Sequence, residues 1–207
     1  MPIKNNPPYK TYLALGDSYT IGESISPAGR YPVQAVKFLR ERHILFEEPK
    51  IIATTGWTTS DLLSAIATAD LSLHYNIVSL LIGVNNQYQG RNKSEYEIEF
   101  GELLKKCIAL AGNSSHVIVL SIPDYSTTPF ARDSDTAFIA SEINAFNILN
   151  KKISDAYHVH YIDVTEDSRK TLHDPSLIAD DGLHYSEKEY AIWAKKIVEE
   201  VISMETK

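Results

Sequence analysis

The chain contains almost no cysteine. Cys107 is its single thiol in 207 residues, which excludes an intramolecular disulfide and a multi-cysteine metal site. This cysteine lies in the stretch "SEYEIEFGELLKKCIALAG", whose helical spacing predicts a buried, inert thiol rather than a reactive one. Stability must therefore come from a hydrophobic core, for which a chain of this length is sufficient.

Long apolar runs and an excess of basic charge are also missing. The apolar stretches are shorter than the roughly 20 residues that a membrane-spanning helix needs, so we expect no membrane span. The first ten residues, "MPIKNNPPYK", lack the apolar centre of a secretory signal, which predicts a cytoplasmic protein unless a signal has been removed. A net charge of −7 without a basic stripe argues against a nucleic-acid partner.

The sequence has no internal repeat, low-complexity tract or linker. Its 43% apolar and 23% charged residues are typical of a globular protein. We therefore predict a single domain over residues 1–207, with residues 1–9 as an extended N-terminal segment.

Short apolar runs alternate along the chain with longer stretches of helical spacing. The runs predicted as strands are residues 12–15, 50–53, 77–82, 117–122 and 159–162. The stretches predicted as helices are residues 31–42, 59–69, 94–111, 135–157 and 186–204. Gly112 is expected to end the third helix, and Ser186 with Glu189 to form a capping box that begins the last. This alternation predicts a five-stranded parallel sheet covered by helices on both faces, a three-layer α/β/α sandwich.

Polar motifs follow the first three strands and precede the last helix. They read "GDSYT", "TTGWTTSDL", "GVNNQYQG" and "DDGLHYS", and all four are expected at the edge of the sheet where ligands bind. Together they supply the Ser18 hydroxyl, the Gly56 N–H, the Asn85 carboxamide and the pair Asp181 and His184. That set matches acyl transfer, which needs a nucleophile, a base, a group that orients the base, and oxyanion donors.

Other interpretations of these residues remain open at this point. Ser18 by itself could equally be an N-cap or a turn residue. His173 and Asp174 form a rival pair, whose aspartate is expected to cap a turn. A metal-dependent phosphohydrolase would use Asp17 as nucleophile with a carboxylate two residues later, where Tyr19 stands. A non-catalytic binding module should lack one of the four groups.

The four motifs, in this order, resemble the GDSL family of esterases and lipases, also called SGNH hydrolases. The matching blocks are Gly16-Asp17-Ser18, Gly56, Gly83-Val84-Asn85 and Asp181-Gly182-Leu183-His184. The resemblance implies a flavodoxin-like fold and a serine esterase that needs no cofactor and no metal.

The resemblance also implies a role for each site residue. Ser18 would be the nucleophile, His184 its base, and Asp181 the acid that orients the base. The oxyanion would be bound by the Ser18 N–H, the Gly56 N–H and the Asn85 side-chain amide.

Two positions depart from the family pattern. Tyr19 stands where the family name has leucine, and an aromatic ring can pack there equally well. Asn86 stands where the third block often has aspartate, so any role of that acid in bracing the loop must be met by the Asn86 carboxamide or be absent.

The expected partner is a small-molecule ester with a short acyl group, such as acetyl. The connections that carry the motifs are short, and the longest irregular stretch, "PDYSTTPFARDSDT", is mostly polar, which predicts a shallow pocket. Trp57 and Tyr88 are candidates for its walls. A lysophospholipase, a thioesterase and an acyltransferase remain alternatives on the same site.

Overall fold

The computed structural model describes residues 9–205. The extended segment expected over residues 1–9 therefore lies almost entirely outside the described residues. Five parallel strands form one sheet in the order β2-β1-β3-β4-β5, which is the flavodoxin-like order. The strands are β1 (Tyr12–Gly16), β2 (Lys50–Ala53), β3 (Ile77–Leu81), β4 (Val117–Leu120) and β5 (His160–Ile162).

The central strands are apolar because both of their faces are covered. Every residue of β1, β3 and β4 is buried, as expected for a parallel sheet between two layers of helices. The buried polar side chains of β1 and β3 satisfy each other, since the Tyr12 hydroxyl and Ser79 Oγ lie 2.8 Å apart.

Eight α-helices accompany the sheet in the described residues. They are α1 (Ser18–Ile21), α2 (Tyr31–Glu41), α3 (Thr59–Thr68), α4 (Val84–Tyr88), α5 (Lys93–Ala111), α6 (Thr136–Ala156), α7 (Thr165–Ser168) and α8 (Glu187–Glu205). Helix α2 packs against α8, and α5 packs against both α3 and α6. Because crossovers between parallel strands are right-handed as a rule, the strand order places these two groups on opposite faces of the sheet, which agrees with the predicted three-layer sandwich. No helix within residues 9–205 is long and apolar enough to span a membrane.

The long helices begin and end within one or two residues of the predicted limits. Gly112 ends α5 in the left-handed region (φ 77°), and its N–H donates to the Ile108 carbonyl. Cys107 is buried in this helix, and burial raises the pKa of its thiol to about 12. The thiol is therefore protonated at neutral pH, as its position in the sequence predicted.

The capping box predicted at the start of α8 forms only one of its two hydrogen bonds, so half of that prediction is wrong. The Glu189 N–H points to Ser186 Oγ at 3.5 Å, but the Ser186 N–H donates to the Leu177 carbonyl instead. The Glu189 carboxylate accepts a hydrogen bond from Trp193 Nε1 (2.8 Å). Because the glutamate is fully buried, its side chain turns to the core rather than back to the helix end.

Candidate active site

The polar motifs meet at the carboxyl edge of the sheet, at the point where the connections from two neighbouring strands run to opposite faces. Strands β1 and β3 are adjacent, and the crevice beyond their carboxyl ends is the usual ligand site of this topology. Ser18 begins α1 directly after β1, and Asn85 lies in α4 just after β3. Gly56 follows β2, and His184 precedes α8.

The turn that presents Ser18 depends on a glycine. A Cβ on Gly16 would lie 2.4 Å from the Leu81 carbonyl oxygen and 2.1 Å from Thr20 Oγ1, so a larger residue would push β1 away from β3. With glycine at this position, the chain turns directly from β1 into α1. Ser18 is the first residue of this helix and is 5% exposed.

Asp17 holds the same turn from inside the protein. Its Oδ1 accepts a hydrogen bond from the Tyr19 N–H (3.0 Å) and so caps α1, as aspartate commonly does at a helix start. Its side chain is fully buried, and burial raises the pKa of the carboxyl to about 7 even though backbone hydrogen bonds act in the opposite direction.

Asp181 and His184 form a close pair on the loop before α8. Asp181 Oδ2 lies 2.6 Å from His184 Nδ1, and Oδ1 accepts the backbone N–H groups of Leu183 and His184, both at 2.9 Å. Burial opposes ionisation of this carboxyl, but hydrogen bonds from Ser24, His184 and the backbone outweigh it and hold the pKa of Asp181 well below its usual range. The group is thus a carboxylate that accepts a hydrogen bond from Nδ1–H of His184, which leaves Nε2 of the imidazole without this proton.

Tyr19 packs against the imidazole. Its ring meets that of His184 edge to face, with centroids 5.7 Å apart, and both residues are buried. The tyrosine that replaces the leucine of the family name therefore supports the histidine. The same position would carry the second carboxylate of a metal-dependent phosphohydrolase, and it holds a buried ring instead.

Gly56 lies in the loop after β2, and Asn85 lies in the first turn of α4. Gly56 adopts φ +85°, where an added Cβ would meet no atom within 4 Å, so glycine is favoured here by backbone conformation and not by lack of space. Asn85 Nδ2 donates to the Trp57 carbonyl (2.8 Å), which holds the carboxamide beside the Gly56 loop. A primary amide has two N–H groups, and the second makes no hydrogen bond within residues 9–205.

Asn86 has a different task from its neighbour. It is 1% exposed, its Oδ1 accepts from the Thr59 N–H (3.1 Å), and its Nδ2 donates to Thr59 Oγ1 (2.6 Å). The carboxamide thus braces the start of α3 against α4, which is the role that the sequence left for it in place of an aspartate.

Five of the predicted site residues, Tyr88 among them, line one cavity of about 180 Å³. Ser18, Gly56, Asn85 and His184 all face it, with Asp181 behind the histidine. Ser18 Oγ makes no hydrogen bond to another group within residues 9–205.

One wall of this cavity is aromatic. The rings of Tyr88, Tyr125 and Phe130 pack together with centroids 6.2 to 6.4 Å apart, and all three line the cavity. Trp57 does not line it and packs against the hydrophobic core. Tyr125 and Phe130 were not selected from the sequence, where the only signal was that they are the large apolar residues of an otherwise polar loop.

A larger, more open groove of about 950 Å³ is lined by other residues of the same loops, among them Pro129 and Gly182. Phe130 lines the smaller cavity and not the groove, and its N–H donates to the Gly182 carbonyl (2.9 Å). Hydroxyl side chains, Arg132 and Asp180 line the groove, but Ser18, Asn85 and His184 do not. The groups suited to acyl transfer therefore converge in the smaller cavity.

In the rival pair His173 and Asp174, the aspartate stabilises a turn. Asp174 accepts the Ser176 N–H (3.1 Å) and caps the turn Pro175–Leu177. Its other oxygen pairs with Lys188 at 2.7 Å. The aspartate thus caps a turn, as predicted, and its carboxylate is occupied by groups other than the histidine.

Comparison with known proteins places the chain in a family. The model of the GDSL-like Lipase/Acylhydrolase family matches residues 14–192. No curated protein sequence matches the chain at a significant level.

Several solved structures share the fold. The acetylxylan esterase Axe2 from Geobacillus stearothermophilus superposes with a TM-score of 0.69 at 19% identity, covering 93% of this chain and 94% of its own. The acetyl xylan esterase AlAXEase has a TM-score of 0.71 at 17% identity, covering 90% and 97%. A lipase/acylhydrolase from Enterococcus faecalis has 0.68 at 22% identity, covering 94% and 96%.

Proposed function

The chain belongs to the GDSL-like lipase/acylhydrolase family and is a carboxylic ester hydrolase, and from this premise we propose that Ser18 attacks the ester to form an acyl-enzyme. The observation that carries the proposal is the 2.6 Å contact between Asp181 and His184, with the imidazole lining the same cavity as Ser18. A serine, a histidine and an ionised aspartate in this relation are the components of a catalytic triad.

In the first half of the reaction, His184 Nε2 takes the proton from Ser18 Oγ as the oxygen attacks the carbonyl carbon. Asp181 keeps the Nδ1 proton in place and stabilises the imidazolium that results. The imidazolium then protonates the departing alcohol as the C–O bond breaks. Water activated by the same histidine cleaves the acyl-enzyme and restores the Ser18 hydroxyl.

The oxyanion of each tetrahedral intermediate is assigned three donors. They are the Ser18 N–H at the start of α1, the Gly56 N–H and the second N–H of the Asn85 carboxamide. Asn85 is held in place before substrate arrives by its hydrogen bond to the Trp57 carbonyl, so little reorganisation is needed during the reaction.

The acyl group is proposed to be short, from acetyl to about butyryl. A cavity of about 180 Å³ is smaller than the roughly 300 to 1,000 Å³ of pockets for drug-sized ligands. Tyr88, Tyr125 and Phe130 close one side of it. Two of the similar structures are described as acetylxylan esterases, which supports an acetyl-sized acyl group.

The nucleophile is tested by Ser18→Ala. We expect ester hydrolysis to fall by on the order of 10⁴-fold or more, with an unchanged thermal midpoint because the substitution removes one oxygen from the edge of the cavity. p-Nitrophenyl acetate turnover and a melting curve measure the two effects. Substantial turnover in protein shown to be free of contaminating esterase would exclude Ser18 as the nucleophile.

The acyl preference is tested with p-nitrophenyl esters from two to ten carbons. We expect kcat/KM to be highest between the acetyl and butyryl esters and to fall beyond them. If a deep acyl site existed, each buried methylene would add about 0.8 kcal/mol of binding. A steady rise in kcat/KM to the ten-carbon ester would therefore refute the short-acyl proposal while leaving the triad intact.

A further inference from the structure

The loop after α1 brings a second serine to the Asp181 carboxylate. Ser24 Oγ donates to Asp181 Oδ2 at 2.6 Å, across 157 residues of sequence. This is the same oxygen that lies 2.6 Å from His184 Nδ1. One carboxylate oxygen therefore receives two hydrogen bonds, one from the imidazole and one from a residue outside the four motifs.

The remaining contacts of Asp181 show what this hydrogen bond adds. Oδ1 is held by the backbone N–H groups of Leu183 and His184, which belong to the same short turn as the aspartate. Ser24 is the contact to the carboxylate that comes from a different part of the chain. Because the Asp181 side chain is 30% exposed, water would compete for Oδ2 if the Ser24 hydroxyl were removed.

The backbone holds Ser24 in an uncommon conformation. Its φ of +64° lies in the left-handed region, which few residues other than glycine adopt. Ser24 is exposed, so burial of its side chain does not account for this conformation, in which its hydroxyl makes the hydrogen bond to Asp181.

The segment before Ser24 is anchored to the nucleophile helix. Gly22 ends α1 with φ +68°, and the Glu23 N–H donates to the Ser18 carbonyl (3.0 Å). The Glu23 carboxylate also accepts a hydrogen bond from Thr55, which lines the active-site cavity. The position of Ser24 is thus set relative to Ser18 itself.

We propose that Ser24 is a positioning residue for ester hydrolysis, which fixes Asp181 Oδ2 opposite His184 Nδ1. The inference rests on the proposed Ser18, His184 and Asp181 mechanism. Ser24 does not line the cavity and acts only through the carboxylate, so it affects the chemical step and not the binding of substrate.

Two substitutions distinguish the effect of the Ser24 hydroxyl on catalysis from the effect of the backbone conformation. Ser24→Ala and Ser24→Gly both remove the donor, but only glycine also relieves the positive φ. We expect both to lower kcat about tenfold, the lower range for a hydrogen bond to a charged group, with KM for p-nitrophenyl acetate unchanged. Wild-type kcat in Ser24→Gly, with or without a loss in Ser24→Ala, would overturn the proposal.

A double-mutant cycle with Asp181→Asn tests whether the effect passes through the carboxylate. In the Asp181→Asn enzyme, Ser24→Ala should change kcat by less than about twofold, because residues that act through one network are not additive. A purely structural effect of Ser24 would instead lower kcat by the same factor in both backgrounds, and that result would overturn the proposal.

Ser26→Ala is the matched control. This serine lies two residues further along the same loop, but its Oγ donates to Glu187 (2.5 Å) and not to the active site, so kcat should remain that of the wild type. A loss equal to that of Ser24→Ala would show a general effect of the loop and overturn the proposal.

Ser18→Ala distinguishes failure of the proposed mechanism from failure of the role of Ser24. Retained turnover in Ser18→Ala refutes the mechanism, whereas an inactive Ser18→Ala with a fully active Ser24→Ala refutes only the role of Ser24.

Discussion

Asn85 and Asn86 are adjacent and chemically identical, and they contact different parts of the protein. Successive side chains on a helix point about 100° apart, so in α4 one carboxamide faces the cavity while the other is buried against α3. The consequences of losing them should therefore appear in different measurements.

Asn85→Ala should lower kcat by on the order of 10² to 10³, as expected for an oxyanion donor, with little change in KM. Steady-state kinetics on a short-chain p-nitrophenyl ester measure both parameters. A change in KM alone would mean that this amide binds the ground-state substrate and that the third oxyanion donor lies elsewhere.

Asn86→Ala should instead destabilise the fold. The substitution leaves the Thr59 N–H buried without its partner, which costs about 1 to 3 kcal/mol. The free energy of unfolding in urea measures the loss, with Asn85→Ala as the matched control. Equal stability of the two variants would contradict a bracing role for Asn86.

At the scale of secondary-structure elements, the turn from β3 into α4 depends on Gly83. Its φ is +131°, and an added Cβ would lie 2.7 Å from Ile122 Cδ1 and 2.8 Å from Tyr96 Cε2. Gly90, at the far end of α4, also has a positive φ (+66°), but an added Cβ there meets no atom within 4 Å. A comparison of the two glycines therefore distinguishes the cost of a steric clash, which arises only at Gly83, from the cost of a positive φ, which arises at both.

Gly83→Ala should therefore cost more than Gly90→Ala. Strain at a positive φ alone costs about 1 to 2 kcal/mol, and overpacking adds about 1 to 3 kcal/mol. Urea denaturation of both variants gives the two free energies of unfolding. If Gly90→Ala is the more destabilised, close packing does not account for the glycine in the third motif.

At the scale of the whole molecule, two buried acids link stability to pH. Burial raises the pKa of Asp17 to about 7, and burial raises that of Glu189 to about 7, partly offset by the hydrogen bond from Trp193. Asp17 Oδ2 and Glu189 Oε2 are buried without a hydrogen-bond partner in the described part of the chain. Both groups are therefore more easily protonated in the folded protein than in the unfolded chain.

A raised folded-state pKa means that the folded protein binds the proton more tightly than the unfolded chain does. The stability that each acid contributes is therefore complete below about pH 4 and is lost as the pH rises to about 7. We expect the thermal midpoint of the wild type to fall between pH 5 and 8, and Asp17→Asn and Glu189→Gln each to flatten that fall. Carboxyls whose pKa is lowered, such as Asp181 and Asp174, act in the opposite direction and only at acid pH. Variants with the slope of the wild type would show that these acids are ionised in the folded state.

The sequence by itself determined the order and type of the elements and the residues that meet at the carboxyl edge of the sheet. Apolar runs and helical spacing are local patterns, and a parallel sheet brings the carboxyl ends of its strands to one edge whatever the details of packing. For that reason Ser18, Gly56, Asn85 and His184 could be expected around one cavity before their distances were known.

Only the tertiary structure decided which side chains complete the site. Ser24 reaches Asp181 across 157 residues, Tyr125 and Phe130 form the aromatic wall in place of Trp57, and Glu189 turns to Trp193 rather than to its helix end. These contacts depend on how loops far apart in the sequence pack together. No local periodicity records such packing, because each of these side chains is equally compatible with an exposed loop or helix position.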